Sequence, residues 1–314
     1  MGTKRARASA KVSGALALSV FLLAGFSNIG YSKLYPGGYT EGERVRPFTE
    51  EVQNSPTNEL IESDTENEFH VGTLAPTPLA IGVWNAKATY IATEGNNEVI
   101  DDERDFWGIF AGDHDDDHYS YWNNSREYSE LTLKANKGSN IISGLGTPRF
   151  AVGAWVKGRI ELIAGTNNEV TSGYTDIYAN DDSIIKVIAG KDNILNSTEK
   201  YYAGVNVTAS YYSSDITIES YNGNNVLKAT GTTLSDSAVD SQRDSSLKII
   251  ADNGSNTIEH PYVGIHVSNN GVVDVKAKND NTIVGANEGS FSSLFARQDT
   301  NSAINVMETL INPD

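Results

Sequence analysis

The chain has 314 residues, 41 acidic against 24 basic side chains, 28 glycines and no cysteine. That composition fits a secreted, acidic, glycine-rich all-β chain long enough for a sizeable core, and it excludes a disulfide scaffold, a cysteine-ligated zinc site, a haem-thiolate centre and a thiol enzyme. A formal charge of −17 disfavours non-specific association with nucleic acid or an anionic membrane surface, so no nucleic-acid partner is expected.

The N-terminus carries Lys4, Arg5, Arg7 and Lys11 without an acid, followed by an uncharged run from Val12 to Phe26 rich in Leu, Ala and Val. This is the basic n-region and apolar h-region of a secretory signal; a membrane span needs ~20 apolar residues, and the run is shorter. Gly30 and Ser32 supply the small residues at the −3 and −1 positions, so residues 1–32 are assigned to a signal peptide. Residues 33–78 hold Pro36, Pro47, Pro56, Pro76 and Pro78, an acid-rich stretch from Glu59 to Glu68 and few aliphatics. Without periodicity and with little to bury, they read as an acidic, disordered leader. From Leu79 the composition turns to aliphatics, Asn, Gly and Thr, which places the domain at residues 79–314.

That domain repeats. The pattern Asn-x-aliphatic begins at Asn97, Asn140, Asn168, Asn193, Asn225, Asn256 and Asn281, at spacings of 43, 28, 25, 32, 31 and 25 residues. Before each anchor runs an alternating strand: Leu131, Leu133, Ala135; Ile160, Leu162, Ala164; Ile185, Val187, Ala189; Ile216, Ile218, Ser220; Leu247, Ile249, Ala251; Val273, Val275, Ala277. Alternation with β-branched residues specifies strands with one face in and one out. In the earliest copy the inward set is taken as Thr89, Ile91 and Thr93. A second motif aligns Gly82-Val-Trp84, Gly108-Ile-Phe110, Gly153-Ala-Trp155, Gly204-Val-Asn206 and Gly264-Ile-His266.

Repeats of about 31 residues, each with two or three short strands and no helical pattern, exclude leucine-rich and helix-pair arrays, and their uneven length argues against propeller blades. What remains is a right-handed parallel β-helix of about seven to eight coils, in which each turn of chain lays its strands on those of the turn before. In such a stack equivalent residues sit ~4.8 Å apart, so aliphatics form internal columns. The seven asparagines, tolerant of left-handed backbone, form a hydrogen-bonded corner column. Outward, stacking should set Glu161 beside Lys186 and Lys248 beside Asp274.

The longest interval contains Asp113-His-Asp-Asp-Asp-His118, followed by Tyr119, Tyr121 and Trp122. Asp113, Asp115 and Asp117 match the alternating start of a calcium loop, but His118 stands where glycine is required and Asn124 where a bidentate Glu is required. The loop is expected to be a solvated acidic segment, with Asp113, Asp115, Asp117 and His118 the weak candidates for a metal site; no cofactor is expected. No nucleophile elbow, zinc-protease motif or phosphate loop occurs, and no catalytic residue is assigned. Of the histidines His70, His114, His118, His260 and His266, the last falls at the variable place of the glycine motif, where packing or surface roles are expected. Tyr201-Tyr202 and Tyr211-Tyr212 flank a strand, where aromatics can pack over corners or contact partners.

With its basic signal segment, leader and Asn- and Gly-rich, cysteine-free coils from Gly82 to Val306, the sequence resembles the passenger region of an autotransporter of the β-helical adhesin type. The resemblance implies export by type V secretion, an outer-membrane translocation barrel in a longer form, display on or release from a Gram-negative cell, and binding to a host-surface protein or glycan. The chain reaches Asp314 just after Ile304 and Val306 begin another coil, so a C-terminally truncated solenoid lacking the barrel is expected. The sequence reading is therefore a non-enzymatic surface or secreted adhesin. The alternative is a carbohydrate-active β-helix enzyme, a polysaccharide lyase or hydrolase.

Overall fold

The computed structural model describes residues 33–34, 58–64, 66–70, 79–84, 87–101, 107–112, 129–144, 150–198, 205–210, 212–230, 237–285, 294–296 and 301–308. The described elements are all strands, organised as three sheets of nine, nine and eight strands. Successive segments visit the sheets in turn. In one coil Phe150–Trp155 lies in sheet A, Gly158–Ala164 in sheet B and Asn168–Ser172 in sheet C, and the chain then returns to sheet A with Thr175–Asn180. Every pairing between coils is parallel; the short Lys33–Leu34 pairs antiparallel to Leu79–Trp84 at the sheet A edge. The protein is a parallel β-helix.

The core is the stack of inward columns. Leu131, Ile160, Ile185, Ile216, Leu247 and Val273 pair in sequence in sheet B, and Leu133, Leu162, Val187, Ile218, Ile249 and Val275 do so two residues on. All are essentially inaccessible to water. Each fully buried aliphatic contributes roughly 1.5–3 kcal/mol relative to exposure, so the columns carry the fold. Outward partners follow the same register: Glu161 lies opposite Lys186, with an ion pair of 2.9 Å, and Lys248 lies opposite Asp274. Such exposed pairs add at most about 1 kcal/mol each.

The corner from sheet B to sheet C is built on asparagine. All eight sheet C strands begin with one: Asn67, Asn97, Asn140, Asn168, Asn193, Asn225, Asn256 and Asn281. Each Nδ2 donates to the Oδ1 of the next at 2.8–2.9 Å, from Asn67 through to Asn281. The other amide hydrogen reaches a sheet B carbonyl of the following coil, as from Asn168 to Ile188 and from Asn193 to Glu219. Burial without these partners would leave costly orphaned amides, and the file satisfies them in place. The residue before each asparagine makes a second ladder, its side chain accepting from the next coil's backbone: Ser139 N–H to Asn96, Asp192 N–H to Asn167, Asn224 N–H to Asp192 and Ser255 N–H to Asn224.

The corner from sheet A to sheet B is a two-residue left-handed turn: Val156-Lys157, Asp181-Asp182, Tyr212-Ser213, Arg243-Asp244 and Asn269-Asn270 all have positive φ. A small residue follows each pair, because the next strand starts against the neighbouring coil's backbone; a Cβ on Gly158 would lie 2.0 Å from the Ala111 carbonyl oxygen. Where serine occupies this place its hydroxyl is used, accepting from Gly158 N–H at Ser183 and from Ser214 N–H at Ser245. The corner from sheet C back to sheet A has no fixed length, running from Ser172 to Thr175 in one coil and from Ser197 to Val205 in the next.

Three sequence expectations need correction. The solenoid begins before Leu79, since Asn58–Ser63 pairs in parallel with Lys87–Ala92, and Asn67–His70 with Asn97–Asp101. In that strand the aliphatics Leu60 and Ile61 are adjacent, so the alternating signal is lost, and the surrounding acids make the stretch look like leader. In Lys87–Ala92 the buried residues are Ala88, Tyr90 and Ala92, not Thr89, Ile91 and Thr93. The register sets Tyr90 opposite Leu133, a one-residue shift that exchanges the faces. The glycine motifs are also not all in line. Gly153 stands opposite Phe110 and opposite Tyr178, and His266 belongs to this column together with Asp240 rather than with Trp155. A slip of two residues preserves the in–out pattern, so alternation cannot reveal it.

Candidate functional site: the outer face of sheet A

With the register fixed, one outward column of sheet A runs Gly82, Phe110, Gly153, Tyr178, Thr208, Asp240, His266, Phe295; Phe110 is itself buried, and the column reaches solvent from Tyr178 onward. Beside it, two residues further along each strand, run Gly112, Trp155, Asn180, Ser210, Gln242 and Ser268. The interior columns repeat one kind of side chain, whereas these change chemistry at nearly every rung.

The N-terminal half of the face is aromatic. Phe150 stacks on Tyr178 at 4.3 Å between ring centroids, and Trp155 meets both rings edge-on at 6.4 and 5.9 Å. Phe110 lies across Gly153, where an added Cβ would touch its ring at 3.4 Å. The Trp155 indole N–H donates to Asp181 Oδ2 at 3.3 Å. Burial raises the Asp181 carboxyl above its ordinary pKa, against the opposing effects of that hydrogen bond and of Arg243.

Toward the C-terminus the face becomes polar and ordered around an imidazole. His266 Nδ1 lies 2.8 Å from Asp240 Oδ1, the Gln242 amide donates to Asp240 Oδ2, and the Phe295 ring stacks on the imidazole at 5.4 Å. The histidine is thus held between a carboxylate on one rung and a phenyl ring on the next. When Nδ1 carries the proton it donates to Asp240 and leaves Nε2 as an acceptor for a ligand or a proton. The two side chains are 25% and 15% exposed, so the pair is reachable from solvent yet shielded enough to hold its geometry.

No family model, curated protein or solved structure matches this chain. Function therefore has to be argued from the site itself.

Of the residues singled out in the sequence, the seven asparagines come together as a structural column. Asp113, Asp115, Asp117 and His118 lie outside the described residues, as do Tyr201, Tyr202 and Tyr211. Tyr212 is on the left-handed corner and 61% exposed. Among the described residues no group of three or more His, Asp or Glu side chains is placed to hold a metal ion. The Asp240–His266 pair is what sequence reading missed. Its members are 26 residues apart, one coil, and only a correct register brings them together.

Proposed function

We propose that the protein is a non-enzymatic β-helical passenger of the autotransporter kind, secreted from or displayed on a Gram-negative cell. It binds a host or matrix protein or glycan through the outer face of sheet A and the loops bordering it. The observation that carries this reading is the contrast between columns. The interior and the asparagine corner repeat what stacking requires, and the sheet B exterior column from Glu161 to Asp274 is a run of threonine and single charges, while the sheet A exterior sets the rings of Tyr178, Trp155 and Phe295 beside Asp240 and His266. A rigid repeat scaffold that sets aromatic rings beside an ordered carboxylate–imidazole pair on a solvent face has the form of a recognition surface.

The test is an array of glycans and extracellular-matrix proteins probed with the mature chain. A bound spot that weakens at least tenfold in His266→Ala and Phe295→Ala, and is unchanged in Asn196→Ala on the outer face of sheet C, supports the reading. Binding indifferent to the sheet A variants sinks the assignment of the face. A second reading, a polysaccharide lyase or hydrolase, is favoured by the oriented Asp240–His266 pair, which has the geometry of a positioned general base. Incubation with uronate polymers decides between them: unsaturated product abolished by His266→Ala would make the protein an enzyme.

A further inference from the structure

Inside the solenoid, at the corner from sheet C to sheet A, a polar group interrupts the apolar columns. Asp176 is fully buried, and so are Asn206 in the next coil and Ser172 at the end of the preceding strand. Asp176 and Asn206 each stand one place before the paired residues Ile177 and Val207. The same place is Ala151 in the coil before and Ala238 in the coil after, both buried in the hydrophobic core. Asn206 Nδ2 donates to Asp176 Oδ2 at 2.7 Å and also approaches the carbonyls of Leu195 and Lys228 at 3.1 and 2.9 Å. Three oxygens are left over: Asp176 Oδ1, Asn206 Oδ1 and Ser172 Oγ are buried without a hydrogen-bond partner.

A carboxylate can only accept, so an ionised Asp176 leaves its own Oδ1 and the amide Oδ1 of Asn206 both unsatisfied. A carboxylic acid donates through one oxygen and accepts through the other. We infer that this corner is an interior proton-binding site, in which the acid form of Asp176 and the amide of Asn206 close a reciprocal pair: Asp176 Oδ1–H to Asn206 Oδ1, and Asn206 Nδ2–H to Asp176 Oδ2. One bound proton then joins two coils and satisfies two otherwise orphaned atoms.

The surroundings agree. Burial pushes the Asp176 carboxyl up to about 8, outweighing the hydrogen bond donated by Asn206 and the polar groups of nearby Ser172. Among the described residues no cation offsets it from the packed strands. Lys228 offers only its carbonyl, its ammonium being paired at the surface with Glu259 at 3.1 Å, and Glu169 on the Ser172 strand accepts from Asn167. Tyr178 and Asp181, on and just after the Asp176 strand, engage Ser210 and Trp155. In the unfolded chain Asp176 ionises near the ordinary aspartate value of 3.8, while in the folded chain the proton is held to about pH 8. Between those limits the unfolded state alone loses the proton, so the folding equilibrium constant falls about tenfold per pH unit as pH rises, from this group alone. Below the lower limit the contribution is complete, and above the upper one it is lost. From this group the solenoid gains most in acid, and near neutral pH only the last part of that gain remains.

The experiment compares urea unfolding of the full chain with that of Asp176→Asn from pH 4 to pH 9. The amide reproduces the reciprocal pair without a proton, so the variant should match the parent at the acid end and gain on it by about tenfold per pH unit above it. A constant difference across the range overturns the inference. So does a parent midpoint raised by added calcium or sodium but unmoved in the variant, since a cation would then hold the carboxylate. Infrared spectroscopy reads the site in the folded chain. A protonated-carboxyl stretch at pH 6 that vanishes in Asp176→Asn is expected, and a parent spectrum identical to the variant's refutes it.

Discussion

A buried asparagine in this protein has two neighbours to satisfy, one in each adjacent coil. Asn193 accepts from Asn168 and donates to Asn225, so Asn193→Ala strands an N–H on one side and an oxygen on the other. At about 1–3 kcal/mol for each orphaned group, the variant should lose at least ~2 kcal/mol in chemical denaturation. Asn196, three residues along on the outer face of sheet C, should tolerate alanine within about 0.5 kcal/mol. The distinction was legible in the sequence, because the anchors recur with an aliphatic fixed two places on while Asn196 does not. Asn67 obeys the same rule, with Phe69 in the aliphatic's place, and an aromatic there was enough to hide it. The polar pair Asp176–Asn206 gave no signal, since each occupies a place where other coils carry alanine.

At the scale of single strands and corners, the repeating alternation found sheet B almost completely, because one face is buried along six consecutive coils and the pattern is enforced by water. It failed where parity or register had to be decided from one copy, as with Ala88 and Tyr90 or the glycine motifs of sheet A. Left-handed backbone falls at a different corner from the asparagine corner for which it was expected: its residues run from Val156-Lys157 to Asn269-Asn270, share conformation rather than type, and include none of the file asparagines. That conformation costs a β-branched residue roughly 1–2 kcal/mol, and Asn bears it more easily. Val156→Asn should therefore stabilise the protein by about 1 kcal/mol in thermal or urea unfolding. Gly158→Val should do the reverse, losing more than about 2 kcal/mol, because its side chain meets the Ala111 carbonyl rather than open space.

Taken whole, the molecule is a one-dimensional stack in which each coil touches only its neighbours, so protection should follow distance from the ends. Amide hydrogen exchange is expected to be slowest across the sheet B strands from Gly158 to Ala251 and to quicken toward Ala303–Glu308, where Val306 and Met307 are 41% and 48% exposed. Uniform protection along the chain would contradict a stack of this kind. The asparagine file adds something that apolar columns cannot. Every carboxamide in it points the same way, giving hydrogen forward and taking it from behind, so the group dipoles sum along the axis and each bond polarises the next. The corner therefore has a sense as well as a position. A coil laid on upside down would set donor against donor, and each added turn of chain inherits its orientation from the one beneath.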